Sequence, residues 1–286
     1  MTRRSAVRRG ANAKINVFLR VLRAREDGYH DIESLVVPVS LADRITALPA
    51  DELRVTMKGV DDLARTVPVG GLNLALVAAL AMADECEHAG GAEVEIEKRI
   101  PVAAGLGGGS ADAAATLGAL NELWGCRLDM EALVDIAARV GSDVPAMLAG
   151  GPVLVEGRGD VIDPATVDRL WWVLRSFDFG VRSPDAYRWW DEDRASSGPD
   201  PASLLVAATK GDPETLGPML FNDLEGPVFE RHPDLAEAKA ALLRAGALGA
   251  VMSGSGSSIV GLARDEAHAG SLAKRWASAR VISGPP

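Results

Sequence analysis

The chain has 286 residues, more than one average domain, and its 48% hydrophobic content can fill a sizeable core. Lys and Arg number 30 against 40 Asp and Glu, and the formal net charge of −10 excludes binding of nucleic acid through the overall field. The two cysteines, Cys86 and Cys126, make no metal-binding pattern, and because no long apolar run predicts a membrane span we expect a cytoplasmic protein.

A β-hairpin is predicted near the N-terminus. Residues 11–22 alternate between polar and apolar side chains and place Lys14 on the polar face of a strand. Asp27 and Gly28 form a turn signal before a second apolar stretch, residues 32–41. A lysine on such a face is usually only solvated, so the role of Lys14 depends on partners elsewhere in the chain.

Tyr29 and His30 directly follow this turn and offer a flat ring and a ring nitrogen. They either hold a heterocycle or fill the edge of the hairpin, and the sequence alone leaves both interpretations open. Their position in the fold decides between the two.

The stretch of residues 101–117, PVAAGLGGGSADAAATL, is the most informative part of the sequence. It follows an alternating strand, residues 93–97, and runs into a helical pattern that opens near Ser110. Four glycines within five residues leave main-chain N–H groups free to approach a ligand, and a helix N-terminus adds roughly half a positive charge. The order of strand, glycine loop and helix predicts a phosphate-binding loop.

Other glycine motifs fit this loop less well. A P-loop requires Lys and then Ser or Thr after its last glycine, whereas Gly109 is followed by Ser110 and Ala111. A dinucleotide fingerprint that starts at Gly105 needs Gly or Ala at position 110 and a buried parallel strand before it, and the chain has neither. A tight turn that only packs the helix on its sheet remains the alternative.

Helices are also predicted on either side of this motif. Residues 72–88 predict a helix with Asn73 as a cap near its start, and Asp129 opens another helix. Asp143 can cap the helix that follows it, because Pro145 falls in the first turn, where proline is tolerated. This structural interpretation of Asp143 competes with a catalytic one.

The second half alternates helices with strands, which indicates an α+β class, and we place a domain boundary near Ile162, giving domains 1–162 and 163–286. Residues 253–257, SGSGS, predict a tight turn that exposes main-chain N–H groups, although a plain hairpin turn also explains them. Residues 191–201 predict a mobile loop. The predicted strands are 170–174, 250–252, 259–263 and 280–283, and the predicted helices are 183–190, 233–245 and 266–276.

On these motifs the chain is identified as a member of the GHMP kinase family. Residues 101–117 resemble its phosphate-loop motif, and residues 252–258, MSGSGSS, resemble its glycine-rich third motif. Residues 10–35, GANAKINVFLRVLRAREDGYHDIESL, and 141–148, GSDVPAML, are similar to the branch that phosphorylates the 2-hydroxyl of cytidine diphosphate methylerythritol in isoprenoid precursor biosynthesis. The resemblance implies the two-domain α+β GHMP kinase fold, with an N-terminal ribosomal-protein-S5-like domain, a C-terminal ferredoxin-like domain and both ligands in the cleft between them.

The resemblance also implies a role for each matching residue. Lys14 and Asp143 are the implied catalytic pair, with Asp143 as the base and Lys14 as the orienting cation. ATP and Mg²⁺ are the implied cofactors, with Ser110 as a metal contact. The implied ATP-binding positions are Asn73, Lys98, Arg99, Pro101, Gly105, Leu106, Gly107, Gly108, Gly109 and Ser110. The implied substrate-binding positions are Asn16, Tyr29, His30, Arg158, Ser183 and Tyr187, and the third motif contributes Ser253, Gly254, Ser255 and Gly256.

Three departures from the family pattern bear on fine specificity: Ala111 stands where a second serine is common, Asn12 where proline is usual, and Arg158 at a position that is often apolar. The other hypotheses are a homoserine- or mevalonate-type GHMP kinase, a non-catalytic nucleotide or sugar-phosphate sensor on the same fold and, on glycine density alone, a nicotinamide-dependent oxidoreductase. The expected partners are small molecules, without nucleic acid or membrane, and the expected assembly is a monomer or weak homodimer.

Overall fold

The computed structural model describes residues 5–59, 73–87, 89–193 and 198–286, and its contacts divide the chain into two compact units. Unit 1 comprises Met1–Ala13, Leu41–Val102 and Gly107–Gly150, and unit 2 comprises Lys14–Ser40, Ala103–Leu106 and Gly151–Pro286. The single boundary near Ile162 that the composition suggests stays a prediction. The α+β class is confirmed, since both units combine helices with a sheet.

In its described residues, unit 1 combines four helices with part of a sheet. β4 pairs antiparallel with β2, placing Ile96 opposite Ile45, and parallel with β3, placing Val94 opposite Val55. The strand predicted at residues 93–97 is confirmed as β4, whereas β3 is not among the predicted elements. The helices are α1 (Leu74–Glu85), α2 (Gly108–Trp124), α3 (Met130–Val140) and α4 (Val144–Ala149), and the strands are β3 (Arg54–Gly59), β4 (Ala92–Lys98) and parts of β1 (Val7–Ala24) and β2 (His30–Pro49).

The core of unit 1 lies between its strands and its helices. Alternation along β4 buries every second side chain. Three of the four buried residues of α1 are alanines, and α2 is likewise rich in buried alanine, so the two helices pack closely. The apolar face predicted for α2 is confirmed, because Ala113, Leu117, Leu120 and Trp124 are all buried. This packing fixes the helix whose N-terminus follows the glycine loop.

A disulfide joins Cys86 and Cys126, whose Cα atoms are 5.5 Å apart. Cys86 is the C-cap residue of α1, and Cys126 follows Gly125, the C-cap residue of α2. The bond therefore links the C-terminal ends of two packed helices across 40 positions of sequence. This disulfide is not predicted from the sequence, because the pairing depends on how the helices pack and cannot be read from cysteine spacing.

Unit 2 contains the predicted β-hairpin, and the turn signal is confirmed: β1 and β2 are joined through Gly28, whose φ is +82°. β2 pairs with β5 (Val153–Gly157), which pairs in turn with β6 (Val161–Pro164). The two-residue strand β8 (Phe221–Asn222) runs parallel to β1, with Phe221 opposite Phe18. These strands hold the segment that carries Lys14 and Asn16.

A second, antiparallel sheet of unit 2 has the order β11 (Arg280–Gly284), β7 (Leu170–Arg175), β10 (Ile259–Ala263) and β9 (Gly249–Met252). All four of its strands are predicted by the sequence to within a residue or so. The helices of unit 2 are α5 (Ser183–Asp193), α6 (Ala202–Thr209), α7 (Pro213–Leu216), α8 (Glu225–Arg231), α9 (Pro233–Arg244) and α10 (Glu266–Ala273), with a 3₁₀ turn at Gly217–Met219.

Of these helices, α5, α9 and α10 are predicted, and α6 to α8 are not. The loop predicted at residues 191–201 is wrong at its start, because α5 continues through Asp193. Residues 194–197 of that loop lie outside the described residues. Across the described parts of both units, no helix combines the length and the apolar character that crossing a bilayer requires.

Candidate active site

The N-terminus of α2 in unit 1 has the features of an anion site. The helix begins at Gly108, two residues before the predicted start, and its N-cap Gly107 adopts a φ of +65°. Gly107 has no side chain to cap the first N–H groups, and the first turn contains no acidic residue. A helix terminus in this state carries free donors and roughly half a positive charge. Ser110 lies within this first turn, beside the free donors.

Gly108 lies in a tight space between α2 and the end of β4. A Cβ at this position would lie 3.0 Å from the Cγ2 atom of Ile100 and 3.4 Å from the Nζ atom of Lys98. The first turn of α2 therefore sits directly on the end of β4. The part of the glycine loop that belongs to unit 1 begins at Gly107.

Lys98 is buried rather than aimed at solvent, with 3% of its surface exposed. Its ammonium donates to the carboxylate of Asp43 in β2 and, at 2.8 Å, to that of Asp112 in α2. Its neighbour Arg99 is exposed and pairs with Glu97 at 3.1 Å. The ATP-binding roles of Lys98, Arg99 and the half-buried Pro101 stay predictions, and the burial of Lys98 favours an indirect role.

Asn73 occupies the N-cap position of α1, as predicted. Its side-chain oxygen accepts from the N–H groups of Ala75 at 3.0 Å and Leu76 at 3.4 Å. Capping of this kind satisfies two of the donors at the start of α1. The additional contact with adenine that the resemblance implies stays a prediction.

Asp143 lies at the N-cap position of α4, but its side chain makes no capping hydrogen bond. Its carboxylate is exposed, and Pro145 occupies the first turn of the helix as expected. The structural interpretation of Asp143 as a side-chain cap is therefore wrong. A carboxylate that does not serve its own helix remains available to act on a ligand.

In unit 2, Lys14 is also buried, with 5% of its surface exposed, so the interpretation of Lys14 as a solvated residue is wrong. Its ammonium donates to Asn16 Oδ1 at 2.5 Å and to the main-chain oxygen of Gly105 at 3.1 Å. A Cβ at Gly254 would lie 3.2 Å from the same Nζ atom. Lys14, the end of the glycine loop and the third motif therefore meet at one point.

The orientation of Asn16 is fixed by a chain of hydrogen bonds. Its Nδ2 atom donates to the hydroxyl of Ser34 at 2.8 Å, and that hydroxyl donates to the main-chain oxygen of Phe18 at 2.6 Å. Because the amide nitrogen is engaged in this way, the amide oxygen faces Lys14. Ser34 is thus a supporting residue that the sequence analysis did not single out.

The SGSGS turn joins β9 to β10 and packs against the loop segment 103–106. The Ser253 hydroxyl donates to the Gly105 oxygen at 2.9 Å, and the Ser258 N–H donates to the Ala104 oxygen at 3.0 Å. Gly105 has a φ of +75°, and a Cβ there would lie 2.0 Å from the Ser253 main-chain oxygen, so only glycine fits. The two glycine motifs are in direct contact.

Asn222 holds the turn from its other side. Its side-chain nitrogen donates to the main-chain oxygens of Met252 at 2.8 Å and Gly254 at 2.7 Å. Ser255 lies 3.1 Å from the Ser183 hydroxyl, which links the turn to the first residue of α5. Nothing in the sequence around Asn222 signals this role, because β8 is too short to show periodicity.

The aromatic residues predicted for the substrate gather around His30. The Tyr187 ring stacks on the His30 ring with centroids 4.8 Å apart, and His30 Nε2 lies 2.9 Å from Asp191 Oδ1. Tyr29 is 48% exposed, with the guanidinium of Arg158 over its ring at 5.4 Å. The arrangement brings a stacking surface and a hydrogen-bonding ring together, and the substrate roles of these residues stay predictions.

A cavity of about 290 Å³ in unit 1 is lined in part by Arg8, Arg9, Arg44 and Arg99. Arg9 pairs with Glu122, and both Arg44 and Arg99 pair with Glu97. Since acidic partners already engage three of its four cations, we assign no ligand to this cavity.

A glycine-flanked helix terminus with free N–H donors in unit 1, and a buried lysine that contacts a second glycine motif in unit 2, are features of a class of small-molecule kinases. The family model for the GHMP kinases N terminal domain matches residues 73–151, and the model for the GHMP kinases C terminal matches residues 204–282. The first match contains the glycine loop and Asp143, and the second contains the SGSGS turn. They leave no basis for a nicotinamide-dependent oxidoreductase.

Curated relatives narrow the class. The 4-diphosphocytidyl-2-C-methyl-D-erythritol kinase of Symbiobacterium thermophilum is 42% identical over 270 residues, covering 92% of this chain and 93% of the relative. The protein of the same name from Leifsonia xyli is 39% identical over 287 residues, covering 96% and 94%. The chain belongs to the GHMP kinase family and, within it, to the 4-diphosphocytidyl-2-C-methyl-D-erythritol kinases.

Solved structures agree with this placement. A crystal structure of 4-(cytidine 5'-diphospho)-2C-methyl-D-erythritol kinase superimposes with a TM-score of 0.82 at 36% identity, covering 98% of this chain and all of the other. The homoserine kinase of Cytophaga hutchinsonii has a TM-score of 0.72 at 19% identity, covering 99% of this chain and 96% of the other. The second likeness shows the fold alone, and the two-domain GHMP kinase fold implied by the resemblance is confirmed.

Proposed function

We propose that the protein transfers the γ-phosphoryl group of ATP to the 2-hydroxyl of 4-diphosphocytidyl-2-C-methyl-D-erythritol. The observation that carries this proposal is the near-full-length similarity to curated kinases that share one name. The placement of Lys14, with its ammonium buried and held by two acceptors, supports a chemical role for that residue.

Lys14 and Asp143 are the proposed catalytic residues. Phosphoryl transfer to an alcohol requires a positioned hydroxyl, a group that accepts its proton and cations that offset charge on the transferred group. The acceptors Asn16 Oδ1 and the Gly105 oxygen are neutral, so they orient the Lys14 ammonium without cancelling its charge. The exposed carboxylate of Asp143, which caps no helix, is the proposed proton acceptor.

The first turn of α2 is the proposed phosphate site. Its free N–H groups at Gly108, Gly109 and Ser110 suit the polyphosphate of ATP. Among the described residues no group of three or more His, Cys, Asp or Glu could hold a metal, so Mg²⁺ would bind chiefly through the phosphates, with the Ser110 hydroxyl as the protein contact. The ion would neutralise phosphate charge.

The cytidine group is proposed to bind at Tyr29, His30 and Tyr187. Aromatic rings offer stacking surfaces to a pyrimidine, and the second nitrogen of His30 offers a polar contact, since Nε2 is near Asp191. Asn16, Arg158 and Ser183 are the other proposed substrate contacts.

The test is a direct assay. Purified protein is incubated with ATP, Mg²⁺ and 4-diphosphocytidyl-2-C-methyl-D-erythritol, ADP is measured by a coupled assay, and the phosphorylated product is identified by mass spectrometry. We expect turnover with this alcohol and none with homoserine or mevalonate. Turnover of homoserine or mevalonate alone would reassign the substrate, and ATP binding without turnover of any alcohol would favour a sensor.

A further inference from the structure

The buried trio of Asp43, Lys98 and Asp112 lies where the phosphate loop leaves the sheet and enters the helix. Lys98 is the last residue of β4, and Asp112 lies in the second turn of α2. The ion pair between them has an N–O distance of 2.8 Å and closes the intervening segment of chain, residues 99–111. That segment contains the free helix terminus at Gly107 to Ser110.

Asp43 fixes the beginning of the same segment. One of its oxygens accepts from the Lys98 ammonium, and the other accepts from the N–H groups of Arg99 and, at 2.9 Å, of Ile100. Asp43 is 1% exposed, so these donors are its contacts in a site without water access. The first two residues of the loop are therefore bound to β2 by the carboxylate that also holds Lys98.

The Lys98 ammonium also lies close to Gly108 in the first turn of α2. It lies 3.4 Å from the point that a Cβ of Gly108 would occupy. A shift of this ammonium by an ångström would therefore disturb the first turn of α2, whose N–H groups are proposed to hold phosphate. Direct contact between the side chain and adenine has no support from this geometry, because Lys98 is 3% exposed.

The charges of the trio are consistent with Lys98 holding β2 and α2 to the end of β4. One cation faces two carboxylates, and Asp112 Oδ1 is buried without a hydrogen-bond partner within the described structure. Burial raises the pKa of Asp112 to about 7, although Lys98 lowers it, and Asp43 adds to the rise. Burial lowers the pKa of Lys98, but the two carboxylates outweigh this effect, so its pKa is raised and the ammonium stays charged at neutral pH.

We propose that Lys98 is a positioning residue, which pairs with Asp43 and Asp112 and so holds the two ends of residues 99–111 in the shape that binds nucleotide phosphates. The proposal deepens the proposed function and rests on it for the identity of the phosphate site. It differs from the expectation that Lys98 lines the adenine pocket.

Asp112→Ala is the decisive variant. It removes the ion pair that joins Lys98 in β4 to α2 but leaves Lys98 paired with Asp43. Because alanine favours a helix, the fold should persist. We expect the dissociation constant for ADP, measured by calorimetry, to rise about tenfold. Hydrogen exchange should accelerate across residues 99–111 and stay unchanged in the core of unit 2.

Asp112→Asn and Arg44→Met are the matched controls. Asparagine keeps an acceptor for the Lys98 ammonium at the same distance, and Arg44 is an exposed cation beside Asp43 in β2 that pairs with Glu97. Both variants should bind ADP within about twofold of the unchanged protein, with wild-type exchange of residues 99–111. A purely structural role for Asp112 would instead alter melting temperature without separating the alanine variant from the asparagine variant in ADP affinity.

Lys98→Met separates positioning from contact with the base. A positioning role predicts equal losses of ADP and GDP affinity, since the site for the phosphates that both nucleotides carry is disturbed, whereas contact with adenine predicts a loss of affinity for ADP alone. Wild-type ADP affinity and loop exchange in Asp112→Ala, or an adenine-selective loss in Lys98→Met, would overturn the proposal. If the unchanged protein binds ADP but phosphorylates no alcohol, the proposed function fails while these binding comparisons still decide the role of Lys98.

Discussion

The Lys14 ammonium donates a hydrogen bond to the main-chain oxygen of Gly105, 91 positions away in the chain, at a distance of 3.1 Å. The Lys14 N–H also donates to the oxygen of Leu106 at 3.0 Å, so both the main chain and the side chain are tied to the glycine loop. The Gly105 oxygen accepts the Ser253 hydroxyl as well. One carbonyl group thus joins β1, the loop and the SGSGS turn, and a change in any of them is expected to move the proposed catalytic cation.

Asp143→Asn should separate catalysis from stability. Because the Asp143 side chain makes no capping bond, its replacement should leave the melting temperature and ATP affinity unchanged. Loss of a general base should lower kcat by about 10²- to 10⁴-fold. Steady-state kinetics with the proposed substrate and a thermal melt make the measurement.

Asp129→Ala is the control for that prediction, since Asp129 Oδ1 does accept a capping bond from Ala132 N at 3.0 Å. This variant should lose about 1 kcal/mol of unfolding free energy and keep its kcat. A drop in melting temperature of Asp143→Asn equal to that of Asp129→Ala, with kcat preserved, would return Asp143 to a structural role.

Gly105→Ala and Gly28→Ala change two glycines that both have a positive φ but differ in the space around them. A Cβ at Gly105 collides with the Ser253 oxygen, whereas a Cβ at Gly28 meets no atom within 4 Å. We expect Gly28→Ala to cost about 1 kcal/mol of unfolding free energy, and Gly105→Ala to cost about 3 kcal/mol or more because overpacking adds to backbone strain. Urea unfolding of both variants tests this, and equal losses would contradict the close contact of the two glycine motifs.

Reduction of the Cys86–Cys126 disulfide should lower stability without unfolding the active site. In the chain-entropy description, opening a loop of 40 residues costs up to about 4 kcal/mol at 25 °C. Urea midpoints with and without a reductant measure the effect. The double variant Cys86→Ala/Cys126→Ala should not respond to the reductant, and two free thiols in the unreduced native protein would show that the bond is absent.

The free energy of unfolding should depend on pH through the ionisation of Asp112. Its pKa is about 7 in the folded protein against an ordinary value of 3.8, so the folded state binds the proton more tightly than the unfolded chain does. The stabilisation is therefore complete below about pH 4 and is lost as pH rises through about 7, by up to about 4 kcal/mol. Lys98 and Asp43 are the charged groups that face it.

Unfolding by urea between about pH 4 and pH 8 checks this prediction against Asp112→Asn. The difference in unfolding free energy between the unchanged protein and the variant should decline steadily with rising pH and then level off. Parallel curves across this range would mean that the Asp112 carboxyl ionises as an ordinary exposed group.

Local patterns were enough to predict the elements that carry the site. The β-hairpin, the strand before the glycine loop, the helix after it and the SGSGS turn all follow from alternation, glycine density and turn chemistry between neighbours in sequence. The predicted start of α2 near Ser110 differs from the observed start at Gly108. The reason is that Gly107, with a positive φ, is the N-cap, and the sequence does not indicate which of several neighbouring glycines takes that position.

The supporting residues could not be predicted, because their partners are distant in the chain. Lys98 resembles a solvated strand end until Asp43, 55 positions earlier, is placed beside it. Asn222 lies in a two-residue strand, which is too short to show periodicity, and the cysteines pair only because α1 and α2 pack side by side. Periodicity indicates which face of an element is buried, but it does not indicate which polar group of a distant element contacts that face.

The mutual contact of the two glycine motifs limits how this enzyme can be recombined with its relatives. The Ser258 N–H binds the Ala104 oxygen, and a Cβ at Gly105 would lie 2.0 Å from the Ser253 main-chain oxygen, so the two main chains are closely fitted at these points. A phosphate loop transplanted from another kinase would therefore have to arrive together with that donor's own SGSGS counterpart. Chimeras that exchange only one of the two segments should be recovered as insoluble or inactive protein, however similar the exchanged sequences look on their own.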